Sequence, residues 1–401
     1  MKYLVLLGDG MSDFPVAELN NKTPMEKAKK PLIDYMASHG EVGMCKITPD
    51  GCKGGSDVGN LAVMGYDPRK FLTGRAPIEA AAMGIEMNST DIAVRCNLAC
   101  VSEEENYQDK TMVDYSSDEI TSAEAQQLIE ALNEQLADDS IHFYAGVSYR
   151  HILIVHSGSA NATFTPPHDI TGKKVAEYLP KGEVGEFYLD IMKKSYDILS
   201  KHPVNKKRIE AGKRPANTCW FWGIGTKPGL SPFDKKYSRT GAVVTAVDLV
   251  KGIGALAGMQ SYDVEGATGT LETNFMGKAA ATLKAFDDGF DFCYLHFEGP
   301  DECGHRHEIE RKVKAIEMLD QVLEFVVGGL KARGEEFGVL IMPDHPTPVS
   351  TGSHSSANVP YAMYFSNNEL CSGVDNFCEK QAEATGKLQA PGFELLERFL
   401  K

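Results

Sequence analysis

Near its start the chain reads Tyr3-Leu4-Val5-Leu6-Leu7-Gly8-Asp9-Gly10. An apolar run of this length, cut off by turn formers around an aspartate, predicts a buried strand ending in a tight turn. The phrase recurs late in the sequence. Residues 291–296 lead through Glu298-Gly299-Pro300 to Asp301, and residues 338–342 lead to Asp344-His345. A further strand is predicted over 243–250. Helices are predicted over 274–286 and 310–330, between these strands. Strands alternating with helices predict an α/β fold with a mostly parallel sheet covered on both faces. Sites in such sheets form at the carboxyl ends of the strands. The three acidic strand ends are therefore expected along one edge.

Earlier stretches add to this. Residues 24–38 read as one helix bent at Pro31. Gly54-Gly55-Ser56-Asp57-Val58-Gly59-Asn60 reads as a glycine-rich turn opening a helix. The middle of the chain differs in character. Strands are predicted over 91–101 and 151–156, and helices over 121–136 and 183–199. Thr121, three residues before Glu124, forms a capping-box pattern. Residues 208–216 read as a basic surface connection. An inserted α+β domain is accordingly placed at 91–214, with residues 1–90 and 215–401 forming a discontinuous core.

Composition narrows the function classes. The 401 residues are 42% hydrophobic and 24% charged, an ordinary globular balance. A formal net charge of −15 argues against nucleic acid and anionic membrane as partners, since both call for a basic face. Nine scattered cysteines without a CxxC pair read as reduced thiols of a cytoplasmic protein. The N-terminal apolar run is too short for a signal peptide, and no run is long enough for a membrane helix. Composition leaves the oligomeric state open.

Asp9, Asp301, Asp344, His305, His345 and His354 supply three carboxylates and three imidazoles, and Ser56 adds a hydroxyl. Any one of them alone reads as a cap, a turn former or a surface charge. Their convergence on one sheet edge reads as a metal site. Carboxylate plus imidazole without thiolate suits Mn²⁺ or Zn²⁺, with Mg²⁺ a poorer match. The donors exceed the needs of one ion. Two ions about 4 Å apart would use them and would clamp the attacking and leaving oxygens of a phosphoryl transfer. Ser56 is the candidate nucleophile. A cation and the start of a helix would both stabilise its alkoxide, and Gly54 and Gly55 let backbone N–H groups approach a phosphate.

At these residues the chain resembles the archaeal-type cofactor-independent phosphoglycerate mutases of the alkaline phosphatase superfamily. The resemblance runs through Gly8-Asp9-Gly10-Met11, Gly55-Ser56-Asp57-Val58, Gly74-Arg75-Ala76-Pro77-Ile78-Glu79-Ala80, Tyr149-Arg150-His151, Gly299-Pro300-Asp301-Glu302, Gly304-His305, Asp344-His345 and His354-Ser355. It implies an alkaline phosphatase-like core with an inserted substrate-binding domain. It assigns Asp9, Ser56, Asp344 and His345 to one metal, and Asp301, His305 and His354 to the other. It makes Ser56 the residue phosphorylated during exchange between 2- and 3-phosphoglycerate, so the partner is a small phosphorylated metabolite. It places Arg95, Arg150 and His151 at the substrate, where an arginine fork suits a carboxylate or phosphate.

Two departures bear on the substrate. Asp114-Tyr115-Ser116-Ser117-Asp118-Glu119 stands where the mutases carry an arginine-rich segment, and Glu298 stands where a lysine is usual. Both changes remove positive charge from an anion's expected place. With Trp220-Phe221-Trp222-Gly223, they resemble a subgroup proposed to act as homoserine kinases. That reading needs a separate phosphoryl donor, and the chain has no P-loop motif to bind a nucleotide. A phosphomonoester hydrolase on the same core is the third alternative.

Overall fold

The computed structural model describes all residues from 1 to 401. Strands β1 (Lys2–Gly8) and β2 (Glu41–Cys45) come first. The middle of the chain holds β3 (Ile92–Val101), β4 (Met112–Asp114), β5 (Ile141–Tyr144), β6 (Arg150–Val155) and β7 (Thr218–Thr226). The remainder holds β8 (Gly241–Val244), β9 (Gln260–Ser261), β10 (Phe292–Phe297), β11 (Phe337–Met342), β12 (Val359–Phe365) and β13 (Leu388–Gln389). The chain forms two compact units: Met1–Leu72 with Gly229–Lys401, and Thr73–Pro228.

The first unit is built on an eight-stranded sheet in the order β13-β2-β12-β11-β1-β10-β8-β9. Its pairings are parallel except those of β12 with β11 and β2. Leu4, Val5, Leu6 and Leu7 have no exposed surface, which explains a strand apolar on both faces. Helices Phe275–Asp287 and Ile309–Ala332 cover one face, where Leu4 and Leu6 share a core with Leu283 and Leu323. Helix Ser56–Val63 meets the other face, where the Tyr294 hydroxyl donates to Asn60 Oδ1 at 2.8 Å. Register then sets the site. Leu7 pairs with His296 on one side and Met342 on the other. The residues that follow these strands, Asp9, Glu298 and Asp344, consequently emerge at one edge.

The second unit is an antiparallel sheet, β4-β3-β6-β5, with β7 also paired to β3. Helices Ser122–Leu136 and Gly185–Leu199 bury one face around Leu98, Leu128, Leu153 and Met192. Ala76 and Ala80 of helix Ala76–Ala82 pack on the other, against Ala93, Ile152 and Ile154. That helix and β7 explain why the unit spans 73–228 and exceeds the 91–214 read from the sequence. The helix covers, and β7 extends, a sheet whose central strand starts at Ile92.

Three local expectations need correction. Residues 24–38 form two helices, Pro24–Lys27 and Pro31–Ser38, because Pro31 cannot donate its amide and starts a new helix. The strand expected over 243–250 ends at Val244, and Asp248–Leu256 is a helix. Residues 208–216 are not a plain surface connection. Helix Pro203–Glu210 buries Arg208, which donates to Glu124 Oε2 at 2.8 Å, to the Arg214 carbonyl at 3.0 Å and to the Ser117 carbonyl. The expected capping box at Thr121 and Glu124 is present.

Candidate metal centre

Asp9 and Asp344 follow β1 and β11, and both are fully buried. Between them lies His345, with Nε2 3.3 Å from Asp9 Oδ1 and 3.4 Å from Asp344 Oδ2. The Ser56 hydroxyl joins this group at 3.2 Å from His345 Nε2 and 3.5 Å from Asp9 Oδ1. Ser56 is the first residue of its helix, so the positive end of the helix dipole acts on its oxygen. A second group forms around helix Gly299–His305, which sets Asp301 and His305 four residues apart on one face. Asp301 Oδ2 lies 3.1 Å from His305 Nε2, and its Oδ1 lies 3.5 Å from His354 Nε2. The rings of His345 and His354 are 4.1 Å apart, so the two groups adjoin.

Within each group the carboxylate and imidazole donor atoms lie within 4.8 Å of one another. The charge state fits cations. Burial, and then the neighbouring Asp344 and Asp301, push the Asp9 carboxyl well above the ordinary range. Burial likewise raises Asp344. Burial also acts upward on Asp301, but hydrogen bonds from His305 and His354 outweigh it and hold the carboxyl low. The same contact with Asp301 lifts His305 to about 9. Three buried acids thus meet with too little positive charge among them, and divalent cations would supply it.

Several supporting residues escaped the sequence reading. His296 Nε2 donates to Asp9 Oδ2 at 2.9 Å, and its Nδ1 lies 3.0 Å from the Thr245 hydroxyl. Burial, followed by the nearby Lys278 charge, drives His296 far below the usual histidine range. Asn60 donates to Asp344 Oδ2 and to the Ser56 carbonyl, each at 2.9 Å. A signal for these residues existed. Tyr294 and His296 are two apart in an otherwise apolar strand, hence on one face, and Asn60 is one helical turn from Ser56. Gly10 has φ of +57°, and a Cβ there would lie 2.4 Å from Asp301 Oδ1. Only glycine lets this turn pass so close to the carboxylate.

Glu298 lies between β10 and helix Gly299–His305, and a Cβ at Gly269 would meet its Oε2 at 2.5 Å. The remaining predicted residues belong to the second unit. Arg95 is buried, with its guanidinium 3.8 Å from the Trp222 ring centre and its Nε 3.0 Å from Glu79 Oε2. Burial lowers its pKa to about 10. Asn97 pairs with Arg150 in register, so Arg95 and Arg150 lie on the same sheet face. His151 pairs with Cys96 and lies on the opposite face, away from those arginines. Its Nδ1 accepts from the Gly146 amide at 3.0 Å.

A family profile described as 2,3-bisphosphoglycerate-independent phosphoglycerate mutase matches residues 37–205. The enzyme of that name from Methanosarcina barkeri is 46% identical over 385 residues, covering 96% of this chain and 95% of its own. A probable enzyme of that name from Geobacter sulfurreducens is 45% identical over the full length of both chains. Among solved structures, the PH0037 protein from Pyrococcus horikoshii matches with a TM-score of 0.80 at 27% identity, covering 100% of this chain and 96% of that one. The cofactor-independent phosphoglycerate mutase from Thermoplasma acidophilum matches in fold with a TM-score of 0.68 at 24% identity, covering 100% and 99%. No helix is long and apolar enough to cross a membrane. On near full-length identity of this order, the chain belongs to the 2,3-bisphosphoglycerate-independent phosphoglycerate mutase family.

Proposed function

We propose that this chain is a cytoplasmic phosphotransferase that interconverts 2- and 3-phosphoglycerate through a phosphoserine at Ser56. The observation that carries this reading is the Ser56 hydroxyl at 3.2 Å from His345 and 3.5 Å from Asp9, beside a second carboxylate–imidazole group. Asp9, Ser56, Asp344 and His345 would hold one divalent ion, and Asp301, His305 and His354 the other, with Mn²⁺ or Zn²⁺ the best match to these donors. Such a pair would supply Lewis acidity to the transferring phosphoryl and would ease loss of the Ser56 proton. Ser56 attacks phosphorus as the bond from phosphorus to the glycerate oxygen breaks. The serine proton ends on the departing hydroxyl. The reverse step at the neighbouring hydroxyl regenerates the serine, so neither water nor a second donor is consumed. Arg95 and Arg150 are the groups we assign to the substrate's carboxylate or phosphate.

A second reading, a kinase acting on homoserine, draws support from Glu298 and from the acids at 114–119. A carboxylate suits an ammonium-bearing acceptor better than phosphoglycerate. Product analysis separates the readings. Protein loaded with Mn²⁺ is offered 3-phosphoglycerate, and separately homoserine with ATP. Formation of 2-phosphoglycerate is expected. Phosphohomoserine without 2-phosphoglycerate would replace the mutase reading with the kinase, and free phosphate alone would replace it with a hydrolase.

A further inference from the structure

Thr347 belongs to no ligand group, yet its hydroxyl touches a member of each. Its Oγ1 donates to Asp301 Oδ1 and lies 3.2 Å from His345 Nδ1. One hydroxyl has one proton to give and lone pairs to receive. Having given its proton to Asp301, it receives one from His345. That puts the His345 proton on Nδ1 and leaves the Nε2 lone pair facing Asp9, Asp344 and Ser56. Outer partners of this kind set the tautomer and orientation of a metal-binding imidazole.

The backbone of Thr347 is fixed by an unusual group. Lys312, on helix Ile309–Ala332, has a fully buried side chain. Its ammonium donates to the Thr347 carbonyl at 2.7 Å, the Ser12 carbonyl at 3.3 Å and Asp13 Oδ2 at 2.8 Å. All three protons are used. Asp13 Oδ2 also accepts from the Val349 amide at 3.1 Å, and the Thr347 amide donates to the Ser12 carbonyl at 3.2 Å. The loops after β1 and β11 are thereby joined around one buried ion pair. A buried ion pair seldom adds net stability over an apolar pair, so its use here is better explained by the geometry it imposes.

We propose that Thr347 is a positioning residue shared by both metal sites, held by the Lys312 ammonium, and that it sets the two ligand groups in fixed relation to each other. This rests on the two-ion reading above. The test uses the full chain, stripped with a chelator and reloaded with MnCl₂. Titration calorimetry gives stoichiometry and affinities, and low-temperature electron paramagnetic resonance reports whether two Mn²⁺ ions are exchange-coupled. In Thr347→Val, manganese affinity falls by about ten- to a hundredfold, and the coupled spectrum gives way to that of isolated ions. Thr347→Ser keeps the hydroxyl and restores both. Should the valine variant fail to fold, Thr347→Ala removes the same hydroxyl without the second methyl. Wild-type affinity and a wild-type coupled spectrum in the hydroxyl-free variant overturn the proposal, even if its metal-free form melts lower. A wild-type protein that binds no coupled pair removes the two-ion reading instead, and this inference with it.

Discussion

Asp9 serves two partners at once. Its Oδ1 faces His345 and Ser56, while its Oδ2 is taken by His296. In the proposed two-ion site, one carboxylate oxygen would be left to bind a cation, and the other would fix the angle at which it does so. Replacing His296 with phenylalanine keeps the buried volume and removes the donor. Manganese affinity should fall by about ten- to a hundredfold, the usual effect of losing such a partner. Titration calorimetry reads this directly, and an unchanged dissociation constant would show that His296 only fills space.

At the scale of elements, helix Gly299–His305 carries two of the proposed ligands, Asp301 and His305, and sits tightly against the loop after β11. A Cβ at Gly304 would lie 2.4 Å from the Thr347 carbonyl. Gly304→Ala sets two effects against each other. Helix propensity favours alanine by about 1 kcal/mol, whereas forcing backbone apart in a packed region costs about 1–3 kcal/mol. The contact is with backbone, so we expect the cost to win and the melting temperature to fall. A raised melting temperature would mean that the helix can retreat freely.

The sheet of the second unit makes a prediction in pH. Burial lowers His151 from 6.5 to about 3, so the folded state keeps it neutral while the unfolded chain takes up a proton below 6.5. The unfolded state binds more protons in that window, and stability drops as pH falls from 6.5 toward 3. By pH 5 the loss is roughly 2 kcal/mol. His151→Gln cannot take up that proton. Its melting temperature should fall less between pH 7 and pH 5 than that of the unaltered protein, as followed by circular dichroism. Parallel curves would contradict a buried neutral His151.

Across the whole molecule, what was legible in the sequence follows from range. Strands buried on both faces announce themselves as apolar runs, and their acidic ends predicted the edge at which Asp9, Asp301 and Asp344 meet. Ser56 was legible because glycines and a helix start surround it. Legibility stopped where a residue's meaning depends on a distant partner. Thr347 looks like any loop threonine until Asp301 and His345 are placed beside it, and Lys312 looks like one surface lysine among several on a long helix. The limits 91–214 fell short for a similar reason, because β7 is recognisable as part of the inserted unit only through its pairing with β3. A kink and a new helix start read alike in sequence, so the break at Pro31 is legible only as a bend.

In the proposed function all of these parts serve the Ser56 oxygen, and the phosphoryl group it would receive can be followed. Manganese-loaded protein is given 3-phosphoglycerate labelled with ³²P on its phosphate, quenched in acid within the first turnovers, digested and mapped. Label is expected on the peptide that contains Ser56, with none there in Ser56→Ala and turnover lowered by at least about a thousandfold. Label on another residue, or sustained turnover in Ser56→Ala, would contradict it.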